Sequence, residues 1–411
     1  MQAMKKTIIG MLLFLGTCHA PSAQACTAAI ISGHLTPDGR PLMWKNRDTS
    51  NLKNCTRYFK GEKFDFVAIV GYQAKPRSVW SGTNEAGFSI INTLSYNLSE
   101  EGKRRSGRNG SFMKRALEIC RDIKDFRNYL DTLRRPMLVE ANYGILDADG
   151  NGAFFEVDNE KYKEYNIKDH EAAPGGYIVR SNFSDSGIPD AGAGYLRYQQ
   201  ADKIIRDALP QGCLTPAWIF SNLSRSFANP LTGIDLKNWQ EGKTPEWFAD
   251  QDFISRRSTS CAVVFQGVRP DEHPSQTIMW TVIGYPPVTP AIPVWVRHGD
   301  KGLPRQLAEP FNGAFRSPLC ENASLIRNKV FAFKKGTGSE NYLNWALLYN
   351  DSGDGFMQRL EDFEKSIFLR CSSEIASVRD NRKPDRKKIE RVYGMFDEMV
   401  SEFLSSLMAP H

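Results

Sequence analysis

The chain lacks any charge-free apolar run of the ~20 residues needed to cross a bilayer, which excludes a helical multi-span membrane protein. It has no CxxC pair and no Cys/His cluster at zinc-ligand spacing, so no metal is expected. His34, His170, His273, His298 and His411 are scattered, and no G-x-S-x-G elbow occurs, which leaves zincin and serine-hydrolase chemistry without support. Excess charge is also scarce. The 53 Lys+Arg stand against 47 Asp+Glu for a net +6, too mild a bias to indicate nucleic acid as a partner. Repeats and low-complexity tracts are missing too. What is there is a chain of 411 residues, 41% hydrophobic, with 24 Phe, 14 Tyr and 8 Trp, enough to bury one large core or a few smaller ones.

The first residues read as an address. Lys5-Lys6 precedes the short apolar run Thr7 to Gly16, and Ala23-Gln24-Ala25 supplies an A-x-A cleavage site. Residues 1–25 are therefore expected to be a removed signal peptide, and the mature protein to be periplasmic or secreted. Cleavage makes Cys26 the first mature residue. The rival reading is a lipoprotein acylated at Cys26 and held at a membrane surface, but Ala23-Gln24 is not the usual lipoprotein pattern. Cys55, Cys120, Cys213, Cys261, Cys320 and Cys371 remain, and disulfide pairing among them stays open. Cys120 and Cys261 fall in apolar-periodic segments that favour buried free thiols.

Short alternating or apolar runs bounded by turn residues predict strands at Cys26–Ser32, Pro41–Arg47, Phe64–Val70, Phe88–Thr93, Tyr143–Asp147, Ala153–Val157, Tyr177–Arg180, Cys261–Gln266 and Thr277–Gly284. Helical spacing appears at Phe112, Ala116, Cys120, Ile123, Phe126, Leu130 and Leu133, and again at Tyr198, Ala201, Ile205 and Ala208. The class is α+β, with helices on largely antiparallel sheet. Tyr285–Pro293, with four prolines, reads as an extended connector. Beyond about residue 322 the pattern is helical, ending in the stripe Ile389, Val392, Phe396, Met399, Phe403 and Leu407. The expected division is a main domain over 26–321 and a C-terminal helical extension over 322–411 packed on it. Asp147-x-Asp149-Gly150-Asn151-Gly152 imitates a calcium loop, but between two strand patterns and without a distal Glu it reads as a hairpin turn.

A mature N-terminal cysteine combines a thiol nucleophile with its own α-amine, whose reference pKa of ~7.7–8.0 suits a proton acceptor. The Pro37-Asp38-Gly39 turn signal links the first two strands. In a hairpin centred near Pro37, residue numbers summing to about 74 face each other, which sets Asp48 beside Cys26 to within one residue of slip. Asp48 could orient the amine there, or merely cap the following loop.

Cys26-Thr27-Ala28 through Trp44-Lys45-Asn46-Arg47-Asp48 resembles the opening of the N-terminal-nucleophile hydrolases related to choloylglycine hydrolase, penicillin V acylase and the isopenicillin N acyltransferases. Lys45 stands where bile-salt and penicillin V enzymes carry Arg, a departure that argues against strict bile-salt specificity. Gly82–Phe88 followed by Ser89-Ile90-Ile91-Asn92 resembles the segment leading to an oxyanion asparagine, Val179–Phe183 the element ending in a second asparagine, and Ser258–Gln266 with Trp280–Gly284 the paired strands late in the domain. The resemblance spans roughly Cys26–Val296.

It implies an αββα sandwich in which Cys26 is the nucleophile, Asp48 its partner, and Asn92 and Asn182 oxyanion donors. It also implies an active-site arginine late in the domain, for which Arg257, beside Arg256, is the candidate. The activity implied is hydrolysis of a linear amide through a thioester, with no cofactor, a small-molecule amide substrate and no nucleic acid. Acyl transfer on the same intermediate, or a lipidated binding module, are the alternatives. Tyr58, Trp80 and Tyr96 are candidates to line the substrate pocket. The identity of the amide and the oligomeric state are not legible.

Overall fold

A computed structural model describes residues 25–100, 107–239, 246–250, 252–333, 342–379 and 383–408; the expected signal segment through Gln24 lies outside them. In chain order the strands are β1 (Cys26–Ile31), β2 (Leu42–Asp48), β3 (Asn54–Phe59), β4 (Phe66–Gly71), β5 (Ser81–Asn84), β6 (Ser89–Leu94), β7 (Ala141–Leu146), β8 (Gly152–Val157), β9 (Tyr162–Asn166), β10 (Tyr177–Arg180), β11 (Trp247–Ala249), β12 (Thr259–Gln266), β13 (Ile278–Ile283), β14 (Ile292–Val294), β15 (Glu309–Phe311), β16 (Ala314–Arg316) and β17 (Tyr342–Asn344). The longer helices are α1 (Asn109–Ile119), α2 (Ile123–Thr132) and α3 (Tyr195–Ala208), and, after the short α4 (Pro216–Ile219), α5 (Pro318–Val330) and, after the equally short α6 (Trp345–Leu348), α7 (Phe356–Arg379) and α8 (Arg386–Met408).

The class is α+β, as expected. A six-stranded sheet ordered β10-β1-β2-β12-β13-β14 faces a seven-stranded meander, β3 to β9 in sequence order, and the ladders in both are antiparallel. Alternation along each strand divides the core. In β4, Val67 and Ile69 point to the space between the sheets, while Phe66, Ala68 and Val70 point outward to Phe112, Ala116, Leu117, Phe126 and Leu130 of α1 and α2. The other sheet is covered on its outer side by α3, α7 and α8, through residues such as Ala201, Ile205, Ile367, Cys371, Val392 and Phe396.

Three strands of the seven-stranded sheet escaped the sequence pattern for physical reasons. Asn54–Phe59 is a largely polar edge strand paired with β4 alone, Ser81–Asn84 is a polar segment held between β4 and β6, and Tyr162–Asn166 is the opposite edge strand, which stays half exposed. The single predicted helix from Phe112 to Leu133 is two, because Asp122 accepts a hydrogen bond from Asp125 N at 2.8 Å and so starts α2 afresh. The Pro-rich connector contributes the edge strand β14, where Pro293 costs no ladder bond. The calcium-loop look-alike is a hairpin turn: Asp147 Oδ1 accepts from the backbone N–H groups of Asp149 and Asn151, and Gly150 takes a positive φ of 71°. The expected boundary between 321 and 322 falls inside α5, and α7 and α8 share the main core. All seven cysteines among the described residues are free thiols. No described helix is long and apolar enough to cross a membrane.

The attachment of α7 is electrostatic as well as apolar. Arg225 Nη1 and Nη2 donate to both carboxylate oxygens of Glu364 at 2.6 and 2.8 Å, and Ala291 N also donates to Glu364 at 2.8 Å, all in the interior. Removing one member of such a pair leaves a buried charge uncompensated. Glu364→Ala is therefore expected to destabilise the fold by about 3–5 kcal/mol in urea titrations, and a loss under about 1 kcal/mol would show that the pair is incidental.

Candidate active site

β1 is central in its sheet, flanked by β10 and β2, and Cys26 opens it. The ladder pairs Cys26 with Arg47 and Thr27 with Asn46, one residue short of the expected facing with Asp48. The slip has a local cause. The connection is a long loop with a 3-10 turn at Gly33–Leu35, so the hairpin axis falls before Pro37 and not on it. Directly paired residues, and residues two apart, share a face of the sheet. Cys26, Arg47 and Lys45 thus lie together, and Cys261 joins them as Arg47's partner on β12. That face looks at the second sheet, because Lys45 Nζ reaches Trp80 O at 2.9 Å and Asn92 Oδ1 at 3.0 Å where β5 and β6 stop pairing.

The opposite face carries the carboxylate. Asp48 accepts from Thr259 Oγ1 at 2.7 Å and from Arg256 Nε at 2.8 Å. The arginine on Asp48 is thus Arg256, while Arg257, the candidate taken from the sequence, has its backbone N–H bound to Asp250 at 2.6 Å. The N–H of Cys26 donates to Asn182 Oδ1 at 2.9 Å, not to Asp48. Asn182 Nδ2 in turn donates to Leu94 O at 2.8 Å, so this side chain holds the start of β1. Asn92 keeps its Oδ1 on Lys45.

Sequence reasoning missed Arg197. Its Nη1 donates to Cys26 O and to Thr27 Oγ1, both at 2.8 Å, and its Nη2 to Asn182 Oδ1 at 2.9 Å. One fully buried guanidinium therefore fixes both Cys26 and the residue that binds it. Gly194, at φ 79°, makes room, since a Cβ there would collide with that guanidinium. The signal was present: Arg197 stands one turn before Ala201 on the same buried stripe as Ile205 and Ala208, a place where a charge needs a partner.

Of the proposed pocket residues, Trp80 is at the site, its ring 4.2 Å from the Arg47 guanidinium. Tyr96 adjoins it, its N–H donating to Asn182 O at 3.1 Å. Tyr58 is elsewhere, bonded to Asp65 and lining a separate cavity with His273 and Arg297, because β3 is the far edge of the meander. Beside the start of β1 lies a cavity of about 520 Å³ whose walls include Ala25, Leu52, Arg197, Asp250 and Arg256.

Burial sets the electrostatics. It lowers the proton affinity of Lys45 and Arg47, partly offset by the neighbouring thiols. It pulls Arg197 down to about 10, with nearby Arg256 adding to the effect. Burial also opposes charge on Arg256, but Asp48, Asp250 and Asp252 more than offset it and hold that guanidinium above its ordinary value. Asp250, whose Oδ1 is enclosed without a hydrogen-bond partner, is pushed up to about 7 mainly by burial. Among the described residues no group of three or more His, Cys, Asp or Glu is arranged to hold a metal ion.

No protein-family model matches the chain, and no curated protein matches it. Solved structures to which it is similar include a mutant of conjugated bile acid hydrolase from Clostridium perfringens, at 11% identity and TM-score 0.38 over 63% of this chain and 89% of that one. An N-acylethanolamine-hydrolyzing acid amidase ortholog from Caenorhabditis elegans follows at 10% identity and TM-score 0.37, over 61% and 93%. Penicillin V acylase from Agrobacterium tumefaciens aligns at 14% identity and TM-score 0.36, over 66% and 85%.

Asp250 gives a pH test. Its folded pKa lies above the unfolded reference of ~3.9, so the folded chain retains a proton that the unfolded chain releases. That contribution to stability is complete below about pH 4 and is lost as pH climbs through about 7. Wild type should lose thermal stability relative to Asp250→Asn between pH 5 and pH 8. Parallel curves of Tm against pH would show that Asp250 ionises normally.

Proposed function

We propose that the protein is an exported amide hydrolase whose nucleophile is the thiol of Cys26, exposed as an N-terminal residue by removal of residues 1–25. The observation that carries this reading is the fixation of one residue from three sides. The nitrogen of Cys26 sits on Asn182 Oδ1 and its carbonyl on Arg197, and its side chain lies on the face shared with Lys45 and Arg47. A structural cysteine at a strand start needs none of these. The cavity on the Ala25 side would receive the α-amine once the preceding peptide bond is cut.

In the proposed reaction the amine takes the thiol proton and the thiolate attacks the amide carbon. The buried side chains of Lys45 and Arg47 lie on the same face as the attacking thiol. Charge then develops on the carbonyl oxygen, where Asn92 Nδ2 can donate because Lys45 holds the other end of that amide. Collapse expels the amine with the transferred proton and leaves a thioester, which water cleaves to a carboxylate and restores the thiol. Asp48 acts on this centre through Arg256. The lipoprotein alternative is disfavoured by burial, since Cys26 is 6% exposed.

The test is a panel of linear amides assayed for released amine, alongside the intact mass of the mature chain. Cys26→Ala should fold and release no amine, and a form that retains a methionine before Cys26 should be nearly inactive. Turnover by Cys26→Ala would end the proposal, as would a lipid adduct on the mature N-terminus. Asp48→Asn keeps the hydrogen bond to Thr259 but loses the charge that faces Arg256. It should lower kcat by about 100-fold with little change in Tm, and unaltered kcat would reduce Asp48 to a structural cap.

A further inference from the structure

Away from Cys26, α7 and α4 overhang the outer side of the six-stranded sheet and enclose a groove of about 460 Å³. Its walls are largely apolar: Trp280 of β13, Phe368, Ile375 and Ala376 of α7, and Pro216 of α4. Trp280 and Phe368 meet edge to face with ring centroids 5.3 Å apart. This size and lining are those of a small-molecule pocket.

Three arginines line the groove, and they differ in kind. Arg40 is neutralised by Asp38 at 3.0 Å and by a bidentate bond to Glu272. Arg269 pairs with Asp271 at 3.4 Å and with Glu272 at 3.3 Å. Arg379, at the end of α7, has no carboxylate within ion-pair distance among the described residues. Its Nη2 donates to the neutral Gln266 Oε1 at 3.2 Å, and its Nε is enclosed with no hydrogen-bond partner. Gln266 cannot turn to help further, because Trp280 Nε1 uses the same oxygen and its Nε2 is committed to Asp38. Burial, with Arg40 nearby, pulls the Arg379 guanidinium down to about 9, a measure of how poorly its charge is compensated.

A buried guanidinium without a counter-ion is costly, and two chemistries can relieve it: a carboxylate from the protein or one from a ligand. Among the described residues the protein supplies none here. We propose that this groove binds a small organic carboxylate with an apolar body, the carboxylate on Arg379 and the apolar part against Trp280, Phe368 and Ile375. The site is separate from the Cys26 cavity and does not depend on the hydrolase reading, since the lining residues of the two do not overlap.

The test uses sodium decanoate as probe, below its micelle concentration, titrated calorimetrically into the full-length mature protein. Decylamine, decanol and acetate serve as controls for charge sign, tail alone and head alone. Decanoate should bind saturably, decylamine should not, and decanol and acetate should bind at least tenfold more weakly. Arg379→Gln should weaken decanoate at least tenfold. Ala376→Phe, which fills the groove while leaving Arg379 in place, should do the same, so the proposal stays testable should either variant fold poorly. Equal decanoate affinity in wild type and both folded variants would move the binding to the Cys26 cavity and overturn the proposal. So would equal affinity for decylamine, the mark of non-specific tail binding.

Discussion

Arg197 is the interaction on which the geometry of the site depends. From a helix outside the sheet it donates to the Cys26 carbonyl, the Thr27 hydroxyl and the Asn182 amide oxygen. Asn182 is itself bridged to Ala193, just ahead of that helix. The circuit closes on itself: Cys26 to Asn182, Asn182 to Arg197, Arg197 back to Cys26. A strand terminus would ordinarily fray. Here the first residue of β1 is held through both its N–H and its carbonyl, as the proposed role of Cys26 would require.

The sheet separates charge by face. Lys45, Arg47 and the thiols of Cys26 and Cys261 occupy the side toward the second sheet, while Asp48 meets Arg256 and Thr259 on the other. The carboxylate therefore meets its own cation behind the strand and not the thiol in front of it. Neighbouring positions on one strand thus serve opposite electrostatic ends because β-geometry turns alternate side chains apart. The stacking of Arg47 on Trp80 adds an aromatic wall to the same face.

Much of the fold was legible because the long strands follow the two-residue period, and Cys26–Ile31, Leu42–Asp48 and Thr259–Gln266 fall close to where the pattern put them. Segments such as Ser81–Asn84 were not legible, since their burial comes from neighbours and not from their own apolar residues. Within the site, the strand and turn signals brought Cys26 and Asp48 to within one residue of register, but a 3-10 turn inside the connecting loop decided the slip. The choice between Arg256 and Arg257 depended on how the chain turns before β12, where Thr259 Oγ1 accepts from Arg256 N at 3.1 Å, and no periodicity encodes that. Tyr58 failed for a topological reason, since closeness in sequence to Cys26 says nothing about which edge of the meander β3 occupies.

The C-terminal helices sharpen the distinction between charges that build the fold and charges left for something else. Glu364 and Arg379 both sit on α7, 15 residues and so about 22 Å apart along its axis. Glu364 meets a guanidinium with both oxygens and a backbone N–H besides, so that end of the helix is fixed to the sheet and to the Pro-rich segment. Because a continuous helix is rigid over that length, fixing Glu364 also fixes Arg379 over its groove. Arg225 and Arg379 are both withdrawn from water, yet one has its full set of acceptors and the other a single neutral amide. Had burial of Arg379 been only a by-product of packing, one of the carboxylates already in the groove could have turned to it. Asp38 and Glu272 are instead held by Arg40, which leaves a preformed positive site at the end of an apolar channel.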